Sequence, residues 1–267
     1  MDRASASLEG RDAYLRVDNV AKRFGGGGRP EVVALRDIRL DVAEGEFLAI
    51  VGPSGCGKST LLQILAGLVP ASEGAVTVGG RRVNGPPEHM VYLFQQYAKS
   101  LFPWRTVLDN VAFAVEHRRD DAHAFARPFL AKVGLAEFAE RYPWELSGGM
   151  QQRAAIARAL AAEPRVLLLD EPFSSVDALT RLDLHTLLLD LWEKQRFTAI
   201  LVTHDVDEAV FLADRVAVLS GRPSVVVETV ATALPRPRDA IATRELPRFL
   251  ELRHHLLARL LRRAADA

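Results

Sequence analysis

Apolar residues along this chain fall into short continuous runs separated by stretches with helical spacing. Residues 46–51 (Glu-Phe-Leu-Ala-Ile-Val) form one such run. Residues 58–68 after it offer Leu61, Leu62, Ile64, Leu65 and Leu68 as the core face of a helix. Residues 165–169 (Arg-Val-Leu-Leu-Leu) end in Asp170, residues 198–203 end in His204, and residues 216–220 form a further run. Strands that are apolar throughout, with helices between them, predict a parallel sheet covered on both faces. Ligands in such sheets bind beyond the carboxyl ends of the strands. Gly52, Asp170 and His204 all fall at those ends.

Two regions carry a different pattern. Residues 14–43 and 75–83 alternate over short distances (Leu15-Arg-Val17, Ile38-Arg-Leu40, Ala75-Val-Thr-Val78) and predict an antiparallel layer beside the parallel core. The glycines at 25–28 are expected to form a flexible turn between two of its strands. Residues 97–163 predict a mostly helical insertion. Thr106 and Asp109 have capping-box spacing ahead of residues 111–115, and Gly134 is placed to cap a helix beginning near Asp121. Asp205 and Glu208 repeat that spacing after His204. Residues 246–263 are amphipathic, with Phe249, Leu252, Leu256 and Leu260 on one face and Arg248, Arg253, Arg259, Arg262 and Arg263 giving a basic side. Such a helix can lie on a membrane surface or dock on its own domain; docking is the favoured expectation.

Composition narrows the class. Of 267 residues, 49% are hydrophobic and 25% charged, a globular balance. Lys+Arg and Asp+Glu number 34 each, so there is no basic excess to suggest a nucleic-acid partner. Cys56 is the single cysteine, which excludes an intrachain disulfide and fits a reducing compartment. Residues 1–12 are interrupted by charges and are not expected to be a secretory signal. No run reaches the roughly 18–20 apolar residues needed to span a bilayer.

Residues 52–59 (Gly-Pro-Ser-Gly-Cys-Gly-Lys-Ser) match the P-loop pattern. Small residues let the backbone N–H groups close around a polyphosphate, Lys58 adds a point charge near the β- and γ-phosphates, and Ser59 offers a hydroxyl to Mg²⁺. Cys56 within the loop is expected to be a small spacer rather than a redox switch. Asp170 ends an apolar strand, as a Mg²⁺-holding carboxylate does in P-loop enzymes, and Glu171 beside it is placed to polarise an attacking water. His204, ending the next run, is within reach of the same water or a γ-phosphate, and Gln95 ends the short run at 91–94. Ser147, Gly148 and Gly149 open a helix running to about Ala162, whose N–H groups and dipole form a second anion site. The two anion sites lie on different subdomains, so two chains arranged head to tail would sandwich two nucleotides.

Taken in order, the loop at 52–59, Gln95, Leu146-Ser-Gly-Gly-Met150, the strand at 166–171, Ser174-Ser-Val-Asp177 and His204 resemble the motif set of the nucleotide-binding subunits of ABC transporters. The resemblance covers about residues 14–230. It implies an α/β fold: a P-loop NTPase core with a parallel sheet, an antiparallel β layer and an inserted helical subdomain. An ATPase domain would span 14–233, with the insertion at about 97–163 and a helical tail at 234–267. The resemblance implies ATP and Mg²⁺ as ligands. Gly52, Pro53, Ser54, Gly55, Cys56, Gly57, Lys58, Ser59 and Thr60 would cradle the nucleotide, and Phe24 would stack on adenine, with edge-strand packing as its alternative role. Ser147, Gly148, Gly149 and Asp177 would act across the dimer. Ser59, Gln95 and Asp170 would hold the metal, and Lys58, Gln95, Asp170, Glu171 and His204 would serve catalysis.

Ser100-Leu-Phe-Pro-Trp104 and Phe249-Leu-Glu-Leu-Arg-His-His-Leu256 further resemble the ATPases of nitrate, sulfonate and taurine importers. Two permease subunits, a solute-binding protein reached through them, and a peripheral position on the cytoplasmic face of the membrane are then implied. Trp104 would face the permease or anchor a small local core. An exporter ATPase, a soluble ABC ATPase and a P-loop small-molecule kinase are the alternatives.

Overall fold

The computed structural model describes residues 13–26, 29–95, 100–174 and 176–264. The absence of a signal at 1–12, Gly27 and Gly28 of the glycine turn, residues 97–99 of the insertion, Ser175 and the side chains of Arg262 and Arg263 concern positions outside the described residues.

β3 (Phe47–Val51), β7 (Val166–Asp170) and β8 (Thr198–Val202) are buried at every position. They form the centre of a six-stranded sheet with β6 (Met90–Leu93), β9 (Arg215–Leu219) and β10 (Val226–Ala231), in the order β10-β9-β3-β8-β7-β6. All neighbours are parallel except the β9–β10 pair. Side chains alternate across each strand, so the sheet divides two apolar cores. Phe47, Ala49, Val51, Leu167, Leu169, Ala199 and Leu201 face the core shared with the helical insertion and the carboxyl-terminal helices. Leu48, Ile50, Leu168, Ile200 and Val202 face the other, shared with the helix after the P-loop and the antiparallel layer. β10 is not announced by an apolar run, because its residues are mostly half-buried at the sheet edge.

The antiparallel layer has the order β2-β1-β4-β5, built from β1 (Ala13–Gly26), β2 (Arg29–Ala43), β4 (Glu73–Val78) and β5 (Arg81–Arg82). α1 (Lys58–Leu65) is shorter than expected. Gly67 takes φ +68° and turns the chain, the Leu68 N–H bonds back to the Gln63 carbonyl, and Leu68 is exposed rather than part of the core. Gly134 ends α3 (Ala122–Lys132) in the same way, at φ +71° with the Leu135 N–H on the Leu130 carbonyl.

The insertion packs α2 (Val107–Ala112), α3 and α4 (Gly148–Ala161) together. Thr106 caps α2 reciprocally: its Oγ1 accepts from the Asp109 N–H at 3.1 Å, and Asp109 Oδ2 accepts from the Thr106 N–H at 3.2 Å. α2 stops at Ala112, and the apolar residues through Val115 continue as tighter turns with Val115 N–H on the Ala112 carbonyl. Thr106→Ala should cost about 1 kcal/mol, read as a lower urea midpoint with an unchanged slope. An unmoved midpoint would mean the cap is redundant with packing.

α5 (Ala178–Gln195) and α6 (Val206–Leu212) follow, capped by Asp177 and Asp205. The Asp205 cap is one-sided: Asp205 Oδ1 accepts from the Glu208 N–H, but the Glu208 carboxylate turns inward to His185 Nε2 at 2.8 Å. Both members of that pair are buried, so a buried partner displaces the expected reciprocal cap. After α7 (Ala242–Glu245), the chain ends in α8 (Pro247–Ala264). Phe249, Leu252 and Leu256 enter the core that holds Val206, Val210 and Phe211 of α6, so the helix docks on its own chain. Its basic side is tied down as well, by Arg253 to Asp207 at 3.2 Å and Arg259 to Glu228 at 3.4 Å. Among the described residues, no helix is long and apolar enough to cross a membrane.

Candidate active site

The carboxyl ends of β3, β8, β7 and β6 lie in register along one edge of the sheet, and each delivers part of the site. From β3 the chain enters the P-loop, Gly52 to Ser59, and then α1. Gly57 caps α1 at φ +112°, where a side chain would be strained and its Cβ would come within 3.0 Å of Leu35 Cδ2. Lys58 is buried, and its Nζ donates to the carbonyls of Gly52 at 2.9 Å and Pro53 at 3.0 Å. Ser54 and Gly55 are exposed, Pro53 and Thr60 half-buried. Cys56 is buried, and its carbonyl accepts from the buried Ser224 hydroxyl on the turn between β9 and β10.

The first residue of α1 to face the site after Lys58 is Ser59. Its Oγ donates to Asp170 Oδ1 at 2.9 Å, joining the P-loop to the end of β7. The other carboxylate oxygen, Oδ2, accepts from the Tyr92 hydroxyl at 2.7 Å. Burial, then the hydrogen bond and the negative charge of Asp170, push the Tyr92 phenol well above its ordinary range, so it stays a donor.

Glu171 has φ +44°, a left-handed conformation that costs a non-glycine residue about 1–3 kcal/mol. The surroundings hold it there: its N–H bonds to the Val202 carbonyl at 2.9 Å, and its own carbonyl accepts from the Ser174 N–H at 3.3 Å. Glu171 Oε2 accepts from Gln95 Nε2 at 3.2 Å and contacts His204 Nδ1 at 3.1 Å. A carboxylate only accepts, so His204 carries its proton on Nδ1. Both of these contacts are made to Oε2 rather than to Oε1.

Hard oxygen donors suit Mg²⁺, which keeps several waters and takes one or two protein oxygens together with substrate phosphates. The Ser59 hydroxyl and Asp170 carboxylate, 2.9 Å apart beside a phosphate-binding loop, fit that requirement. Among the described residues, no group of three or more His, Cys, Asp or Glu side chains forms a cage that would hold a metal unaided.

Other expected site residues stand apart. Phe24 is exposed, with Lys22 Nζ 5.0 Å from its ring centre. β1 is not an edge strand as the alternative role for Phe24 supposed, but its pairing with β4 ends at Ala21, so Phe24 keeps one open side. Ser147 caps α4, its Oγ accepting from the Met150 N–H at 3.3 Å. Gly149 lies against α5: a Cβ there would meet Thr180 Cγ2 at 2.6 Å. Asp177 caps α5 through the Thr180 N–H, and hydrogen bonding from the Thr180 side chain, then from that N–H, holds its carboxyl below the usual range. Among the described residues, no hydrogen bond or ion pair joins 147–149 to the P-loop. A groove of about 890 Å³ runs from Ser59, Tyr92 and Asp170 to Phe102, Phe113 and Arg158 of the insertion. Trp104 is 71% exposed, so it anchors no local core. Tyr92 is the site residue that the sequence did not yield. Its one signal was a hydroxyl within an apolar strand.

A family model described as ABC transporter matches residues 35–174. An uncharacterized ABC transporter ATP-binding protein of Methanocaldococcus jannaschii is 48% identical over 91% of this chain and 90% of its own length. The nitrate import ATP-binding protein NrtC of Synechococcus elongatus is 42% identical over 91% of this chain, which spans 38% of that protein. The bicarbonate transport ATP-binding protein CmpC of the same organism is 42% identical over 91% of this chain and 37% of its own. Among solved structures, a dimeric post-hydrolysis state of an ATP-binding cassette bound to ADP and Pi superposes with a TM-score of 0.71. It is 32% identical, covering 81% of this chain and 98% of that one. Fold, motif order and this degree of identity agree, and the chain belongs to the ABC transporter family as an ATP-binding ATPase subunit.

Proposed function

We propose that this subunit works as a head-to-tail homodimer and powers the import of a small solute through two permease subunits. The observation that carries the reading is the convergence of Ser59, Gln95, Asp170, Glu171 and His204 at one edge of the sheet while Ser147–Gly149 stay apart from it. Residues 52–60 bind the ATP phosphates, with Lys58 exchanging its carbonyl partners for phosphate oxygens. Phe24 stacks on adenine. Ser59, Asp170 and Gln95 hold Mg²⁺, which supplies positive charge to the phosphates. Glu171 takes the proton of the attacking water, and His204 and Gln95 keep its carboxylate aimed. Ser147, Gly148 and Gly149 of the second copy close over the nucleotide, with Asp177 beside them.

The helical insertion passes this closure to the permease, and the exposed Trp104 and the groove at Phe102 and Phe113 form the docking face. The ATPase domain spans 14–233, with the insertion at about 97–163 and a tail at 234–267, and the subunit sits peripherally on the cytoplasmic face of the membrane. The relatives named for nitrate and bicarbonate transport favour a small oxyanion, of the nitrate, sulfonate or taurine kind, delivered by a solute-binding protein.

The test is the mass of the Glu171→Gln variant by light scattering. With saturating ATP and Mg²⁺ it should double, and return to that of the monomer when nucleotide is removed. A persistent monomer rejects the shared site.

A further inference from the structure

We propose that Tyr92 is a positioning residue that fixes the rotation of the Asp170 carboxylate, and through it the affinity of the site for a divalent cation. The inference rests on the reading of Asp170 as the metal-holding carboxylate. β6 and β7 run parallel, and their register sets Tyr92 beside Leu168. Leu168 and Asp170 are two residues apart and share a face of β7, so the phenol leaning along the strand reaches Asp170. Its hydroxyl donates to Oδ2 at 2.7 Å, while Ser59 Oγ, from a different element, donates to Oδ1 at 2.9 Å.

The terminal torsion of an aspartate is soft and roughly two-fold. One donor on each oxygen removes that freedom. Oδ1 is then kept on the Ser59 side, where the cation is shared, and Oδ2 is turned away from it. The Tyr92 ring is itself braced, 4.4 Å from the Phe94 ring and packed on the core beneath α1. Tyr92 therefore acts on the cation only through Asp170, as partners of metal ligands commonly do.

The experiment is Mn²⁺ titration of the full chain with a non-hydrolysable ATP analogue, reading free Mn²⁺ by electron paramagnetic resonance. Tyr92→Phe should weaken Mn²⁺ binding by roughly tenfold, the lower end for loss of such a partner. It should leave analogue affinity in EDTA unchanged. The Mg²⁺ concentration for half-maximal ATPase should rise by the same factor. In an Asp170→Asn background, Tyr92→Phe should have no further effect. Wild-type Mn²⁺ affinity in Tyr92→Phe overturns the inference while leaving the active-site reading intact. Wild-type affinity in Asp170→Asn alone overturns that reading and the inference with it. If Tyr92→Phe does not fold, Tyr92→Leu must show the loss and Tyr92→Gln, which restores a donor, a smaller one; equal losses overturn the proposal.

Discussion

Replacing Glu171 with glutamine should lower steady-state phosphate release by about 10²–10⁴-fold, the usual worth of a positioned general base. The swap conserves size and the left-handed backbone, so the active-site framework should survive. What disappears is the ability of Oε1 to accept a proton, because an amide is not basic. In the proposed site ATP is bound by the loop at 52–59, with Lys58 and Ser59, whose hydrogen bonds run to Gly52, Pro53 and Asp170 rather than to Glu171. The dissociation constant for ATP should therefore change little. Single-turnover phosphate release with a separate binding measurement would separate the two effects. A variant that hydrolyses at near wild-type rate would show that the base lies elsewhere. A variant that no longer binds ATP would show that Glu171 is structural.

Phe249→Ala should lower stability by about 3–5 kcal/mol, the range for removing a buried aromatic ring. Phe249 is 1% exposed, and its neighbours on the helix face, Leu252 and Leu256, are 3% and 0% exposed within the same core as α6. Two arginines reinforce the connection leading to that helix. Arg236 pairs with Asp214 at 2.9 Å and lies 4.2 Å from the Trp192 ring centre. Arg238 donates to the carbonyls of Phe211 and Ala213 at 2.6 and 3.0 Å. Burial pushes Arg238 down to about 10, so it remains charged at neutral pH. The loss should appear as a shift of the whole cooperative unfolding transition. A separate early transition confined to the last helix, with the main one unmoved, would show that the helix is not integral to the core.

The parts of the molecule legible in the sequence were those with local causes. Five-residue apolar runs become strands because both their faces are covered, and the chemistry at their carboxyl ends follows from the chain stepping out of the sheet there. The Thr106–Asp109 box and the Gly134 stop are likewise written within a few residues. Other features depend on register or distant packing. The apolar periodicity continues over Leu68 and predicts a longer α1, whereas Gly67 at φ +68° turns the chain where a Cβ would fall 2.2 Å from the Gly85 carbonyl oxygen. β10 escaped because a half-exposed edge strand lacks a continuous apolar run. The Tyr92–Asp170 bond depends on how β6 pairs with β7, and the burial of Glu208 against His185 on how α6 packs on α5. Neither spacing can be counted along the chain.

The left-handed backbone at Glu171 has a consequence for how this subunit tolerates change. Glycine would occupy that conformation without penalty, so the chain is less stable there than it needs to be in order to keep a carboxylate in place. On the proposed mechanism, selection for stability alone would tend to replace Glu171, and turnover is what would hold the strained residue in place.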